Sequence, residues 1–325
     1  MESDLLSVVL VTWNSAPFLR RCLEGIRHQT HPRLELIAVD NGSGDESVAL
    51  VRQAFPEATV IGNQDNRGFA AAVNQALRVA RGDLVLLCNP DAYLEPDYAA
   101  RLAAALRQAG DRFGMATGKL LRGDGYEIRP TNVIDSKGIR MTRTGRHFDI
   151  DQGLTDNRQP ITDNSEVFGV SGAAAMYTRP FLDDVAIEGQ VFDEDFHTYR
   201  EDADLSWRGR LFGWRALYVP DAVGYHVRTV TPAKRRHLAP AVNMHSVKNR
   251  FLLRLKNESL WMALRHAPFE LPRDLVAIGA VLTIERSSLP ALGWLWKNRR
   301  RVMARRREIQ RRRRVTDREL AKWFR

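Results

Sequence analysis

The N-terminal third of the chain alternates two hydrophobic patterns. Near-continuous runs of Val, Leu and Ile occur in "LLSVVLVTWN" (5–14), at the start of "LELIAVDNGSGDES" (34–47), in "ATVIGN" (58–63) and at the start of "GDLVLLCNPDAYLEP" (82–96). Runs of that kind suit strands buried on both faces of a parallel sheet. Between them, "APFLRRCLEGIRHQ" (16–29), "SVALVRQAF" (47–55), "GFAAAVNQALRVAR" (68–81) and "DYAARLAAALRQA" (97–109) place apolar residues at helical spacing. Strand alternating with helix predicts an α/β fold, with a mostly parallel sheet, right-handed crossovers and flanking helices.

The rhythm breaks after about Gly114. Residues 119–165 are polar and Gly-rich, which predicts irregular, antiparallel strands. "VFGVSGAAAMYTR" (167–179) reads as a further strand. "YREDADLSWRGRLFGW" (199–214) reads as a helix opening on three acids, and "WRALYVP" (214–220) as the strand after it. Beyond Pro232 the pattern changes to helices with mixed basic and aromatic faces. The expected division is residues 1–231 as one α/β domain and residues 232–325 as a basic helical extension.

Composition adds little to this picture, and charge adds more. A chain of 325 residues with 44% apolar content supports a large core. Two cysteines exclude a disulfide framework and suit a reduced, cytosolic compartment. The start of the chain carries no secretory signal pattern. The longest apolar run, "LVAIGAVLTI" (275–284), falls short of the roughly 20 residues that a spanning helix needs. The net charge of +10 is unevenly placed: from Pro232 onward, 24 Lys and Arg stand against 7 Asp and Glu. A basic tail on an acidic body predicts an anionic partner, either membrane lipid or nucleic acid.

In an open parallel sheet, ligands sit beyond the carboxyl ends of the strands. Strand one ends in Thr12 and Asn14, strand two in Asp40, Asn41, Gly42 and Ser43, and strand four in Asn89, Pro90 and Asp91. The stretch "DNRGFAAAVN" (65–74) would bring Asn66, Gly68 and Asn74 between them. A carboxylate such as Asp40 can accept the ring N–H of uracil or thymine, and Gly68 lets backbone approach a nucleotide. Each motif alone is also an ordinary turn; their order at successive strand ends favours a sugar-nucleotide site. Asp91 is placed to hold a hard divalent cation against a diphosphate. His226 is a candidate second ligand, although spacing alone favours a structural histidine. The chain has no GxGxxG after strand one and no GxxxxGK[ST], which argues against a dinucleotide dehydrogenase and a P-loop NTPase.

Taken in order and spacing, "VVLVTWN", "IAVDNGSGDES", "NRGFAAAVN", "LLCNPDAYLEP", "VSGAAAMYTR" and "YREDADLSWRGRLFGW" resemble glycosyltransferase family 2. The resemblance is strongest to its rhamnosyltransferase-like branch, which builds bacterial cell-wall linkers and O-antigens, and it covers about residues 5–230. It implies a GT-A fold, a Rossmann-like nucleotide-sugar-binding sheet, and inverting transfer. On the family pattern Asp40 reads the base, with Thr12 and Asn14 nearby. "NPD" stands where the family has its DxD-like motif. Asp91 would then hold Mg²⁺ or Mn²⁺ together with His226, and Asn89, in place of an Asp, counts with the donor contacts. Asp202 matches the position of the catalytic base. Inversion by a single displacement needs one such carboxylate to take the acceptor's proton. Glu201 would orient the acceptor or cap the helix, and Asp204 would be structural. Gly172 and Ala173 either leave room for an acceptor sugar or pack a small-residue strand under a helix.

In the tail, Trp261, Phe269, Trp294, Trp296 and Trp323 sit among cations. That composition fits helices lying in a membrane interface, with the polybasic run from Lys297 to Arg314 drawn to anionic lipid. No nucleic-acid-binding motif is visible, so nucleic acid is not an expected partner. The expectation is a metal-dependent inverting transferase, peripheral on the cytoplasmic face of the plasma membrane. It would move L-rhamnose from dTDP-rhamnose to a saccharide on a polyprenyl-diphosphate carrier. The alternatives are a UDP-hexose donor, or a non-catalytic membrane- or nucleic-acid-binding protein on a degenerate transferase scaffold.

Overall fold

Strand β1 (Leu6–Thr12) is buried at every position, and its neighbours explain why. It runs parallel to β2 (Leu34–Asp40) on one side and to β4 (Leu84–Cys88) on the other, with β3 (Thr59–Gly62) parallel beyond β2. Past β4 the sheet becomes mixed. β11 (Ala174–Thr178) and β6 (Phe113–Asp124) each add antiparallel to the strand before, and β12 (Arg215–His226) runs parallel to β6. β10 (Ser165–Val167) and β5 (Ala92–Leu94) pair with β12, and β7 (Arg129–Ser136) pairs with β6. A separate hairpin joins β8 (Ile139–Met141) to β9 (His147–Asp149). The computed structural model describes residues 4–157, 164–228 and 240–325.

Side chains alternate along a strand, so β1 feeds two cores. Leu6, Val8 and Leu10 pack with α1 (Ala16–Arg27), α2 (Ser47–Ala54) and α4 (Tyr98–Ala109). Val9 and Val11 pack on the other face with α3 (Phe69–Val79), α5 (Arg179–Val185) and α6 (Glu201–Leu211). Helices on both faces of a central sheet are the predicted α/β architecture. One expected strand divides: β10 ends at Val167 and β11 starts at Ala174, so 168–173 is a turn. That turn reaches the site described below.

The C-terminal helices are α7 (Pro240–Asn257), α8 (Leu260–Thr283), α9 (Leu289–Arg311) and α10 (Asp317–Ala321). The expected boundary at 231/232 lies outside the described residues. Leu252, Leu253, Met262, Val302, Ile309 and Phe324 belong to the same apolar cluster as Val9, Phe168 and Trp207. The tail's cations engage the body's acids. Lys256 bonds Asp193 and lies 3.3 Å from Asp204, Arg305 bonds Asp193 and Glu188, and Arg314 bonds Asp184 at 2.8 Å. Part of the polybasic run expected to face lipid is therefore turned onto the protein. Trp294 and Trp323 likewise pack against the core instead of standing outward. Buried charges need such partners, because unpaired they cost several kcal/mol.

Helix α8 is inside-out by the standards of a globular protein. Leu264, Leu271, Leu275 and Leu282 are 70%, 60%, 70% and 53% exposed, and their spacing places them along one helical face. The opposite face turns His266 and Glu270 inward, 3.4 Å from Glu258 and 2.6 Å from Arg254 respectively. Among the described residues no single helix is long and apolar enough to cross a membrane. Leu260–Thr283 and Arg286–Arg311 pass by length and composition only as a pair bent by 106°.

Candidate active site

Asp202 is the second residue of α6. Its carboxylate accepts the Gly172 N–H at 3.1 Å and the Ala203 N–H at 2.7 Å. A Cβ at Gly172 would lie 3.4 Å from the Asp202 Cβ, so the 168–173 turn abuts the acid closely. Burial raises the pKa of Asp202, the Gly172 hydrogen bond opposes that, and the charge of Asp149 adds to it. Glu201 is buried with one carboxylate oxygen lacking a partner. Burial, then the charges of Asp202 and Asp204, push its pKa well above the ordinary carboxylate value and favour its protonated form. Asp204 faces the other way: Asn257 donates to it at 2.6 Å and Arg208 at 3.3 Å. Of the three helix-start acids, two border the site and one ties α6 to α7.

The chain enters α6 in strained backbone. His197, Tyr199 and Arg200 have φ of 63°, 66° and 72°, a region that L side chains avoid at a cost of about 1–3 kcal/mol each. Asn249 of α7 holds this loop. Its amide nitrogen reaches the carbonyls of Phe196, Thr198 and Tyr199 at 2.9, 2.8 and 2.8 Å. Sequence reasoning missed Asn249, since a lone Asn in a basic helix carries no motif.

At the candidate metal pair, His226 Nε2 lies 3.3 Å from Asp91 Oδ1 and His226 Nδ1 lies 2.8 Å from Asp135 Oδ2. Arg228 donates to Asp135 at 2.8 Å and to Asp149 at 2.7 Å. Burial would lower the proton affinity of His226, but Asp91 and Asp135 outweigh it and raise the imidazole to about 10. Burial opposes the ionisation of Asp135, yet His226 and Arg228 hold its pKa down at about 2. Asp135 and Arg228 were also missed: Asp135 lies in the segment read as irregular. The pair fits a divalent cation. Adjacent ligands on an octahedral ion with bonds of about 2.1 Å sit about 3 Å apart, near the observed separation. Asp135 fixes the ring from behind, as a carboxylate behind a metal-bound histidine does. Two carboxylates, one at each ring nitrogen, mark a place that favours positive charge.

Asn89, Asp91 and His226 share one cavity of about 440 Å³ with Glu201, Asp202, Gly172 and Ala173. Asp202 and His226 thus face the same cleft. The expected donor residues form a second group at the ends of β1 and β2. Thr12 Oγ1 donates to Asp40 at 2.8 Å, Ser43 donates to the same carboxylate from both its hydroxyl and its N–H, and Asn14 accepts the Gly44 N–H at 2.8 Å. Asn41 donates to the Gly68 carbonyl at 3.2 Å, and Asn66 accepts the Gly68 N–H at 2.9 Å. Gly68 is required for a nearer reason than a nucleotide. Its φ is 89° and a Cβ there would stand 2.4 Å from the His197 ring. Asn74 does not join either group: its amide brackets the Phe192 backbone at 2.7 and 3.0 Å, which makes it a structural clamp.

Residues 7–185 match the model of glycosyl transferase family 2. The chain belongs to that family. Among relatives of this family-2 chain, the N-acetylglucosaminyl-diphospho-decaprenol L-rhamnosyltransferase of Mycobacterium tuberculosis is 29% identical over 247 residues, which are 69% of this chain and 76% of the relative. EpsH of Bacillus subtilis, named as a glycosyltransferase, is 26% identical over 70% of this chain, and the match spans 62% of its own length. The mannosyltransferase PcManGT of Pyrobaculum calidifontis, solved with GDP-Man and Mn²⁺, superposes with a TM-score of 0.53 at 21% identity, covering 94% of this chain and 83% of that one. TarS of S. aureus gives a TM-score of 0.55 at 18% identity, covering 90% and 47%. The solved structures share the GT-A fold with the family-2 chain.

Proposed function

We propose that this protein is an inverting, metal-dependent transferase that moves a sugar, L-rhamnose from dTDP-rhamnose, onto a saccharide carried by a polyprenyl diphosphate. The observation that carries the reading is that Asp202 and the Asp91–His226 pair open on one cavity. In the proposed step Asp202 takes the acceptor hydroxyl proton as that oxygen bonds to the anomeric carbon. The bond from that carbon to the donor diphosphate breaks, configuration inverts, and the nucleoside diphosphate leaves with the electron pair. A Mg²⁺ or Mn²⁺ ion held by Asp91 and His226 would supply positive charge beside the departing diphosphate. Glu201, whose surroundings favour its protonated form, offers a hydrogen bond to an acceptor oxygen rather than a second base. Gly172 and Ala173 form the wall beside the base. The ordered Thr12–Asp40–Ser43 network is the proposed base-recognition end of the donor site.

The choice of rhamnose and of a diphosphate-linked acceptor is supported by the mycobacterial relative's name. Membrane association is supported by the outward apolar stripe of α8, which suits a helix lying in the interface. The proposed setting is the cytoplasmic leaflet, with the protein peripheral to it. The test incubates the full chain with dTDP-rhamnose, UDP-hexoses and GDP-mannose, Mn²⁺ or Mg²⁺, and N-acetylglucosaminyl-diphospho-lipid. Release of dTDP alone supports the proposed donor. Release of UDP alone reassigns the donor, and no release from any of them contradicts the enzyme reading.

A further inference from the structure

Four arginines from four separate segments converge behind the base. Arg146 comes from the β8–β9 turn, Arg200 from the residue before α6, Arg250 from α7 and Arg273 from α8. Arg200 lines the cavity with His147 and Asp202, and its Nη1 lies 3.3 Å from His147 Nδ1. Arg273 donates from Nη1 to the Thr144 carbonyl at 2.7 Å, which fastens α8 to the β8–β9 turn. The Arg200 Nε and the Arg273 Nη2 are buried without a hydrogen-bond partner. Among the described residues, neither arginine has a carboxylate within salt-bridge distance. Burial, then the charges of Arg250, Arg273 and Arg146, lower Arg200 to about 9. Burial, then Arg250 and Arg146, lower Arg273 to about 10. The buried charges of Arg200 and Arg273, each with a donor left over, fit an anionic ligand.

We infer that this arginine cluster binds the diphosphate of the lipid-linked acceptor, a role that rests on the function proposed above. Three placements agree. The cluster borders the cavity at Arg200, directly before Glu201 and Asp202, so a sugar linked to a diphosphate held there extends toward the base. Asp91 and His226 serve the donor's diphosphate, and neither belongs to the cluster. Arg273 is carried by the helix whose other face is the apolar stripe of Leu264, Leu271 and Leu275. The same helix thus joins the cluster on its inner face to a surface suited to lipid on its outer face. Guanidinium forks suit phosphate oxygens in geometry as well as charge.

The test is calorimetric binding of farnesyl diphosphate to the full chain in EDTA, which keeps metal from holding the diphosphate. Farnesol and phosphatidylglycerol vesicles serve as separate arms. Arg146→Ala and Arg273→Ala are expected to weaken farnesyl diphosphate binding by about tenfold or more. Arg273→Lys should recover part of the loss, and farnesol and vesicle binding should be unchanged. Equal affinity in wild type and both alanine variants overturns the inference. Equal losses toward farnesol, or toward vesicles, also overturn it, the latter by reassigning the cluster to lipid headgroups. The readout needs no turnover. Arginine-dependent binding without sugar transfer would count against the proposed function alone, and transfer without arginine-dependent binding against this inference alone.

Discussion

Asp202 and Glu201 are adjacent acids whose environments separate their roles. Both are raised, but Glu201 has no hydrogen bond at one oxygen while Asp202 receives two backbone N–H groups. Hydrogen bonds to the ionised form favour it, so the negative charge rests on Asp202. Its pKa still lies above the ordinary aspartate value, and a general base works only when ionised. The acid limb of kcat/KM should therefore fall above the unperturbed value of about 3.9, with activity lost as pH drops through it. A limb at or below that value in the pH–rate profile would point to a different base. Glu201→Gln keeps a neutral hydrogen-bonding group and is expected to stay within about tenfold of wild type in kcat; a loss as large as that of Asp202→Asn would contradict the division of roles. Asp202 was singled out from three acids at a helix start by the resemblance to the family pattern, and it borders the cavity. Asp135 was not, because what matters there is that β7 carries it behind His226, and no spacing in the sequence records that approach.

At the scale of elements, α7 is hydrogen-bonded and ion-paired into the α/β body. Asn249 holds the strained loop and Lys256 neutralises Asp193 and Asp204. Asn249→Ala removes hydrogen bonds from the carbonyls of Phe196, Thr198 and Tyr199, the first buried and the others partly so, and should lower stability by about 1–3 kcal/mol in urea unfolding, with a fall in kcat because the residues before the base lose their clamp. Unchanged stability and kcat would show that the loop holds itself. Lys256→Ala removes the cation shared by Asp193 and Asp204, which keep Arg305 and Arg208 as partners, and should cost about 1–3 kcal/mol; no measurable loss would mean that those two arginines suffice. The strand–helix alternation of the first third was readable because β1 and its neighbours are apolar on both faces and the helices carry a clear buried stripe. The tail was read correctly as helical but incompletely as surface. A run of arginines in sequence does not record that Asp184, Glu188 and Asp193 wait opposite them.

At the scale of the molecule, an acidic body and a basic tail join through their opposite charges and a shared core. Removing residues 290–325 would strip Val302, Ile309, Leu320 and Phe324 from that core, so it tests folding more than membrane binding. The sharper variant is Leu264→Ser, Leu271→Ser and Leu275→Ser together. These side chains are exposed, so thermal unfolding should be unchanged while co-sedimentation with anionic vesicles falls. Retained vesicle binding would remove α8 from the membrane account. The central claim is that one cavity joins a metal-side pair to a single base. The most direct test is pre-steady-state turnover of Asp202→Asn alongside its affinity for the donor in Mn²⁺. The account predicts donor affinity near that of wild type and a turnover rate lower by about 10²–10⁴-fold. Turnover within tenfold of wild type would contradict it.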